Sequence, residues 1–241
     1  MKKLLIGILQ HNKFSVTERC IRDIHQNTLN TEYLIFVIDN GSTDGSDQKL
    51  KDTFQEDNIS IDLQDKNHGV IGGRNLIFDY FQNHTEFSHL LFIDNDQFVQ
   101  PGWIDGYKEV FSKFPECVAG IEAWLMSSML TPARKAVAKD PGFTYVGCGG
   151  MMISRGVFEI LGSFDSEFNP AYFEDPDYCL RASVANFPVV WNTQSKIKHL
   201  AHQTLGQNAI KSGQSFRKSY KHFRSKWFNS VRGGPIMVNK V

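Results

Sequence analysis

The chain has 241 residues, of which 41% are hydrophobic and 22% are charged, and its formal net charge is zero. This composition is typical of a folded globular protein and excludes an intrinsically disordered chain, and the length allows one large α/β domain or two small ones. The apolar runs are far shorter than the roughly 20 residues of a membrane span, and the first of them ends at Gln10, His11 and Asn12. We therefore expect no transmembrane helix, no signal peptide and a cytoplasmic location.

Charge is unevenly distributed along the chain. Residues 1–177 carry all 26 acidic residues and 15 basic ones, whereas residues 178–241 carry 11 basic residues and no acidic residue. A basic stretch beside an acidic body indicates an anionic partner, such as a phosphate-bearing donor, a pyrophosphate-linked acceptor or the inner face of a membrane. The alternative is a solvated surface that balances the acidic body. No nucleic-acid partner is expected.

The four cysteines are widely spaced, at Cys20, Cys117, Cys148 and Cys179. No CxxC pair is present, so the sequence indicates neither a zinc knuckle nor a dense disulfide framework. We expect buried, reduced thiols, as in cytosolic proteins.

The first hundred residues alternate between two kinds of segment. Apolar, β-branched runs predict strands at 3–9, 33–38, 59–63 and 89–93. Helix-length stretches lie near 15–28, 45–56 and 71–83. Strand–helix alternation of this kind predicts βαβ units and an open, mostly parallel sheet with flanking helices.

The remainder of the chain is less regular. Pro101 at a first turn predicts a helix that reaches residue 114, and the mixed stretch 123–142 is predicted to be a mobile loop. Further strands are predicted near 117–121, 144–153 and 188–191, and further helices from Glu174 and over 213–229. Because no linker is evident, we predict a single domain with subdomains at 1–100, 101–205 and a basic helical tail at 206–241.

Polar clusters follow all four predicted strands of the first half, at residues 10–12, 39–44, 65–69 and 94–96. In a parallel sheet the carboxyl ends of the strands lie at one edge, and open α/β sheets bind ligands beyond that edge. One such cluster indicates only a turn, since Asn, Asp and Gly are common turn residues. Four clusters at one edge predict a binding site.

Asp94 and Asp96 follow an apolar strand and are separated by Asn95. Two carboxylates at a strand end can reach one divalent cation, and hard oxygen ligands suit Mg²⁺ or Mn²⁺. Such an ion would bridge the two phosphates of a nucleotide diphosphate and neutralise the charge of that leaving group. Either His199 or His202 could complete the metal site, although a single histidine is more often structural.

Two other acidic motifs have both a structural and a functional interpretation. Asp39 could accept the N–H of a uracil-like base, while Ser42 and Thr43 could simply cap the next helix. The acids at Glu174, Asp175 and Asp177 could complement a helix dipole. Neighbouring carboxylates also repel one another and raise the pKa of one of them, which suits a general base acting on an acceptor hydroxyl.

The order of these motifs resembles glycosyltransferase family 2, whose members have the GT-A fold. The family's Asp-Asn-Gly-Ser-x-Asp turn is present at 39–44, and its Glu-Asp-x-Asp motif is present at 174–177. The other matching residues are Asn67, Gly69, Arg74, Asn75, Asp94, Asp96, Pro101, Gly102, Trp103, the Gly-x-Phe-Asp stretch at 162–165, and His199. Two departures are Gln10-His11 before the retained Asn12, and Gly73 in place of an alanine.

The resemblance implies an inverting, metal-dependent transfer of a sugar from a nucleotide diphosphate sugar, preferably a UDP-sugar, to a hydroxyl of a saccharide acceptor, which could be lipid-linked. It implies Asp175 as the catalytic base and a Mn²⁺ or Mg²⁺ site at Asp94, Asp96 and His199. The donor would be bound by Gln10, Asn12, Asp39, Asn67, Arg74, Asn75, Asp94 and Asn95. Acceptor contacts are expected from Gly149, Gly150 and Glu174, under a lid over 123–142 that carries Trp124, Arg134 and Lys135. Bacterial surface polysaccharide assembly is the setting that the resemblance suggests.

Two alternatives stay open at this stage. A nucleotidyltransferase that makes sugar nucleotides also uses a metal and an α/β sheet, but it would need a Gly-rich basic loop after the first strand, which residues 9–13 lack. A non-catalytic module that binds sugars or nucleotides is the second alternative, against which the intact Asp94, Asp96 and Asp175 argue. A nicotinamide enzyme is disfavoured, because no GxGxxG follows the first strand.

Overall fold

The computed structural model describes residues 3–140, 142–199, 209–228 and 238–239. The strands are β1 Lys3–Gln10, β2 Tyr33–Asp39, β3 Ile59–Leu63, β4 Phe87–Asp94, β5 Gln97–Val99, β6 Val118–Gly120, β7 Ala123–Met126, β8 Pro132–Lys135, β9 Gly142–Phe143, β10 Tyr145–Val146, β11 Met151–Ser154, β12 Val189–Trp191, β13 Ile197–His199 and β14 Val238–Asn239. The helices are α1 Phe14–Asn27, α2 Ser46–Thr53, α3 Gly69–Asn83, α4 Asp105–Lys113, α5 Arg155–Leu161, α6 Glu174–Val184 and α7 Ala209–Trp227.

A seven-stranded sheet in the order β12-β6-β11-β4-β1-β2-β3 forms the centre of the fold. Within this sheet β11 alone runs antiparallel to its neighbours, and the other six strands share one direction. The predicted open, mostly parallel α/β sheet is confirmed. Its strands are apolar runs because helices cover both faces of such a sheet.

The two faces of the sheet bury separate clusters of side chains. Along β1, Leu4, Ile6 and Ile8 belong to the cluster that α1 covers, whereas Leu5 belongs to the cluster on the opposite face. This division follows from the alternation of side chains along a strand. Packing also explains the glycine at position 73 of α3, because a Cβ atom there would overlap the Leu9 side chain.

Strand register places the acidic strand ends at one edge. Gln10 lies beside Asp39 in the pairing of β1 with β2, and Leu9 lies beside Asp94 in the pairing of β1 with β4. The convergence that was predicted from the polar clusters is therefore present, and it brings the turns after β1, β2 and β4 together.

The second half of the chain differs from the predictions in three places. The helix after Pro101 begins only at Asp105, because Gly102 has a φ of +77°, which a helix cannot accommodate. The stretch 123–142 is not a loop, since β7 and β8 form a hairpin that pairs with β10. The strand predicted at 144–153 is two strands, β10 and β11. Pairing between distant segments decides these elements, and local patterns do not reveal it.

Helix α7 packs against the body of the protein rather than extending from it. Phe223 is fully buried, and the Ser219 hydroxyl donates to the carbonyls of Phe168 and Ala171 at 3.1 and 2.8 Å. The predicted helical tail is thus a docked helix over the part of the chain that the structure describes. Among the described helices, none is both long and apolar enough to cross a membrane.

The cysteines agree with the prediction of buried thiols. All four are buried and free, and burial raises the pKa of each thiol above its usual value. Such thiols are inert under ordinary conditions.

Candidate active site

Arg74 joins the metal-binding motif to the motif that holds the candidate base. This side chain of α3 donates from one terminal nitrogen to Asp94 at 2.7 Å and from the other to Glu174 at 2.9 Å. Arg74 and Glu174 are both buried. A planar guanidinium suits this bridging geometry, because its donors have fixed directions. The family-based expectation that Arg74 lies near a phosphate group is compatible with this position but stays a prediction.

Asp94, Asp96 and His199 form a group that can hold a metal ion. One ligand atom from each residue lies within 4.8 Å of the others, and Nε2 of His199 is 3.0 Å from Oδ1 of Asp96. The hydrogen bond to Asp96 is the main reason why the pKa of His199 is raised. Two carboxylates and an imidazole fit a divalent cation, and the imidazole favours Mn²⁺ over Mg²⁺, which takes oxygen ligands. His202 lies outside the described residues.

Strand β13 explains how His199 reaches the acidic turn. It pairs with β5 so that His199 lies opposite Gln97, one residue beyond Asp96. The buried Gln97 accepts the backbone N–H of Asp94 at 3.0 Å. Gly149 lies against the Asp94 carboxylate, since a Cβ atom at position 149 would overlap Oδ2 of Asp94. A glycine is therefore needed at 149 to leave space for the acidic turn.

Asp175 carries a carboxylate oxygen that the described protein atoms leave without a partner. Its Oδ1 is buried and accepts no hydrogen bond from any described residue. Burial, reinforced by the negative charge of Glu174, raises the pKa of Asp175 well above its usual value, against the opposing effect of Arg74. A carboxylate with a raised pKa and an unused acceptor atom is suited to proton abstraction.

The edge beyond β1 and β2 is a tightly bonded network around Asp39. Its buried carboxylate accepts the Gln10 amide at 2.6 Å, the Ser42 hydroxyl at 2.6 Å and the Ser42 backbone N–H at 2.8 Å. Asn12 joins the same network by accepting the Thr43 N–H at 2.8 Å. A carboxylate has about four acceptor positions, so these bonds use three of them. A donor contact by Asp39 stays a prediction.

Three asparagines that were predicted to bind the donor lie in different surroundings. Asn67 accepts hydrogen bonds from Asn40 at 3.2 Å and from the Gly69 N–H at 2.8 Å, within the turn beyond β3. Asn75 pairs through both amide atoms with the backbone of Phe164. Asn95 donates to the buried Thr17 hydroxyl at 3.0 Å. These bonds organise the turns, and a donor contact by the three asparagines stays a prediction.

A cavity of about 360 Å³ lies over Arg74, Asp94, Asp175 and His199. Its other described lining residues are Val70, Glu122, Trp124, Pro132, Tyr145, Gly147, Cys148, Gly149, Ala171, Tyr172, Phe173, Glu174, Pro176 and Phe216. Asp94, Glu174 and Asp175, which come from two distant motifs, thus share one cavity with His199, whereas Asp96 is not among its described lining residues. Of the predicted acceptor residues, Gly149 and Glu174 line the cavity, whereas Gly150 is a left-handed turn residue with a φ of +86° and is not among its described lining residues.

The sequence did not reveal every side chain of the site. Gln97, Glu122 and Phe216 were missed because none of them belongs to a motif. Gln97 bonds the acidic turn locally, whereas Phe216 reaches the cavity on the docked helix α7. The only sequence signal for Glu122 was its position beside Trp124, which had been singled out as part of a lid.

The sheet order and the acidic edge define a protein of the GT-A class. In this chain an Asp-x-Asp turn follows a central strand of an open α/β sheet. The chain belongs to glycosyl transferase family 2, since the model of that family matches residues 6–159. The resemblance that the sequence motifs suggested is confirmed.

Solved structures share this fold at low sequence identity. GalNAc-T7, in a structure with UDP, GalNAc and Mn²⁺, is 13% identical with a TM-score of 0.78, and the match covers 96% of this chain and 49% of that one. A mannosyltransferase from Pyrobaculum calidifontis, in complex with GDP-Man and Mn²⁺, is 10% identical with a TM-score of 0.69, covering 97% and 65%. S. aureus TarS with UDP-GlcNAc is 15% identical with a TM-score of 0.56, covering 75% and 53%.

The chain thus spans between about half and two thirds of the length of these structures. At such identities the likeness shows the fold alone. No curated protein matches the sequence.

Proposed function

We propose that this chain is an inverting glycosyltransferase that moves a sugar from a nucleoside diphosphate to a hydroxyl of a saccharide acceptor. The observation that carries the proposal is the shared cavity. Asp175, whose Oδ1 has no partner among the described residues, lines the same cavity as Asp94 and His199, and these two residues form a candidate metal-binding group with the buried Asp96. A base for the incoming hydroxyl and a charge-stabilising centre for the departing diphosphate are the two parts that this reaction needs.

The donor side of the site is built around the acidic turn. A divalent cation held by Asp94, Asp96 and His199 would supply positive charge to the diphosphate as it leaves. Arg74 holds Asp94 in place through its 2.7 Å hydrogen bond and adds a second fixed positive charge next to the turn. The structures of GalNAc-T7 and of the mannosyltransferase contain Mn²⁺, and the imidazole in the group favours that ion here.

The acceptor side is built around Asp175. Its carboxylate takes the proton of the acceptor hydroxyl while the oxygen forms a bond to the anomeric carbon, and the bond from that carbon to the diphosphate oxygen breaks. Attack from the face opposite the diphosphate inverts the anomeric centre, through an oxocarbenium-like transition state as in other glycosyl transfers. The raised pKa of Asp175 makes it a stronger proton acceptor than an exposed aspartate.

We favour a UDP-sugar as the donor. Asp39 is the last residue of β2, and its three bonds leave one of about four acceptor positions, which suits the ring N–H of uracil. GalNAc-T7 and TarS structures contain UDP or UDP-GlcNAc, whereas the mannosyltransferase contains GDP-Man. The same Asp39 position could accept an N–H of guanine, so a comparison of UDP- and GDP-sugars decides the base.

The same proposal includes a peripheral membrane contact through α7. The protein would be cytoplasmic and would act on a lipid-linked saccharide in polysaccharide assembly. Lys226 and His222 are already paired with Asp165. The basic residues left at the surface of α7 include Arg217 and Lys221, which flank a groove on the outer side of the helix. An anionic membrane would attract this surface, and sedimentation with phosphatidylglycerol vesicles, compared with phosphatidylcholine vesicles, tests the contact.

The decisive experiment is a screen of nucleotide sugars for Mn²⁺-dependent release of the nucleoside diphosphate. Asp96→Ala should abolish metal-dependent donor binding in calorimetry, and Asp175→Asn should retain donor binding but lose transfer. Normal turnover by Asp175→Asn would reject the role of that residue. Release of pyrophosphate instead would indicate a nucleotidyltransferase, and binding without turnover would indicate a non-catalytic module.

A further inference from the structure

Gly147 borders the cavity between two functional groups. A Cβ atom at this position would lie 3.7 Å from Nε1 of Trp124 and 4.0 Å from Oδ2 of Asp175, with no closer described atom outside its immediate chain neighbours. The backbone of Gly147 is not in the left-handed region, so local geometry does not require a glycine. The missing side chain instead leaves a gap between the indole N–H and the carboxylate of the candidate base.

The indole of Trp124 is held firmly at the side of this gap. Strand β7 lies between β8 and β10, and the Trp124 carbonyl accepts the Thr144 N–H at 2.7 Å. The Lys135 ammonium lies over the indole ring, 5.4 Å from its centroid. The indole N–H donates to no atom of the described residues, although half-buried donors are usually paired with protein, water or a ligand. This donor atom borders the same gap as Oδ2 of Asp175.

The charges around the gap favour an uncharged ligand. Among the described lining residues, the side chains that can carry positive charge are Arg74 and His199. Arg74 is bonded to Asp94 and Glu174, and His199 is bonded to Asp96. Lys135, next to Trp124, is paired with Glu122 at 2.7 Å. An acidic group placed in the gap would lie near Asp175 and Glu122, and the described lining residues offer it no unpaired cation. Like charges at short distance repel strongly in a partly dry cavity.

We infer that the gap over Gly147 is the acceptor slot and that it accepts a neutral saccharide rather than an acidic or phosphorylated one. This inference rests on the proposed function and names the acceptor class. The attacking hydroxyl gives its proton to Asp175, and an oxygen on the adjacent carbon accepts the N–H of Trp124. The indole N–H of Trp124 and the carboxylate of Asp175, which border one small gap, can therefore recognise two oxygens on neighbouring carbons of a sugar.

The first test narrows the slot without touching the donor side. Gly147→Ala places a methyl group in the gap at ordinary contact distances from Trp124 and Asp175. We expect at least a tenfold rise in the acceptor KM with an unchanged donor KM. Gly213→Ala is the matched control, because a Cβ atom at Gly213 of α7 meets no described atom within 4 Å.

The second test removes the indole donor while keeping an aromatic ring. Trp124→Phe should raise the acceptor KM about three- to tenfold, the range expected for one hydrogen bond, again with an unchanged donor KM. The third test compares matched acceptors, namely p-nitrophenyl glucoside with p-nitrophenyl glucuronide and the galactoside with the galacturonide. The acidic member of each pair should have a kcat/KM at least tenfold lower.

The outcomes separate the two proposals. If no donor is turned over by the unmodified chain, the proposed function fails and the acceptor slot fails with it. If turnover is present but both variants leave the acceptor KM unchanged, or uronides are used as well as neutral sugars, the acceptor slot alone is wrong. A rise in the acceptor KM in both variants, together with an unchanged donor KM, supports it.

Discussion

Trp227 donates its indole N–H to the carboxylate of Asp177 at 2.8 Å, which joins the C-terminal helix to the helix that carries the candidate base. Asp177 is fully buried and also accepts bonds from Arg181 at 2.9 Å and from Lys226 at 2.8 Å. It lies two residues after Asp175, so α7 constrains the start of α6. The docked C-terminal helix is therefore part of the framework of the cavity, and its Phe216 is a lining residue.

Replacing Trp227 should destabilise the protein through this contact. Trp227→Phe keeps most of the apolar contact but leaves a buried carboxylate with one donor fewer, which costs about 1–3 kcal/mol and lowers Tm by about 2–4 °C for each kcal/mol in a chain of this size. Thermal unfolding followed by circular dichroism measures the change. Trp191→Phe is the control, because its indole N–H donates to the neutral carbonyl of Ile121 at 3.0 Å, and an equal or larger loss there would contradict the importance of the charged partner.

Asp175→Asn should stabilise the fold at neutral and alkaline pH. The pKa of Asp175 is raised in the folded chain because burial and Glu174 disfavour the ionised carboxylate. The folded state then holds its proton more tightly than the unfolded state, so the chain loses stability as pH rises from about 4, the unfolded pKa, through the raised pKa. The asparagine variant lacks this loss.

The expected signature is a pH-dependent difference in Tm between Asp175→Asn and the unmodified chain. It should be near zero below pH 4 and positive at pH 8, while sugar transfer by the variant falls by about 10²–10⁴-fold. A Tm difference that is constant with pH would show that ionisation of Asp175 is not the cause.

Mn²⁺ should raise the Tm of the chain, because a ligand that binds only the folded state stabilises it. His199→Ala should weaken this response and Asp96→Ala should abolish it, whereas EDTA should reverse it in the unmodified chain. His222→Ala is a matched control, since Nε2 of His222 lies 3.0 Å from Oδ2 of Asp165, the same separation as between His199 and Asp96. An undiminished Mn²⁺ response in Asp96→Ala would place the metal elsewhere.

Arg74→Lys keeps the positive charge but should still destabilise the fold. A lysine cannot bridge Asp94 and Glu174 with two fixed donors, so a buried carboxylate loses its partner, at a cost of about 1–3 kcal/mol. We also expect a fall in kcat, because Asp94 loses the bond that orients it. Arg134→Lys provides the control, since Arg134 pairs with Asp140 at the exposed surface. Equal effects of the two substitutions on urea denaturation would refute the argument.

Local patterns in the sequence were sufficient for the first half of the fold. The strands β1 to β4 alternate with helices, and their apolar runs and the following Asp and Asn turns predicted the parallel sheet and its binding edge. The predictions succeeded there because βαβ units are built from neighbouring segments, so the information lies close together in the chain. Asp94, Asp96 and Asp175 were predicted for the same reason, as members of short motifs, whereas His199 was predicted from the family resemblance, with His202 as the alternative.

The tertiary structure alone decided what surrounds those motifs. Pairing of β13 with β5 brings His199 to Asp96, and the β7–β8 hairpin, predicted to be a loop, places Trp124 beside Asp175. The docking of α7 adds Phe216 to the cavity. These arrangements depend on burial and hydrogen bonds between segments far apart in the chain. A sequence pattern records which residues are apolar or charged, whereas the free energy of long-range packing determines which of them meet.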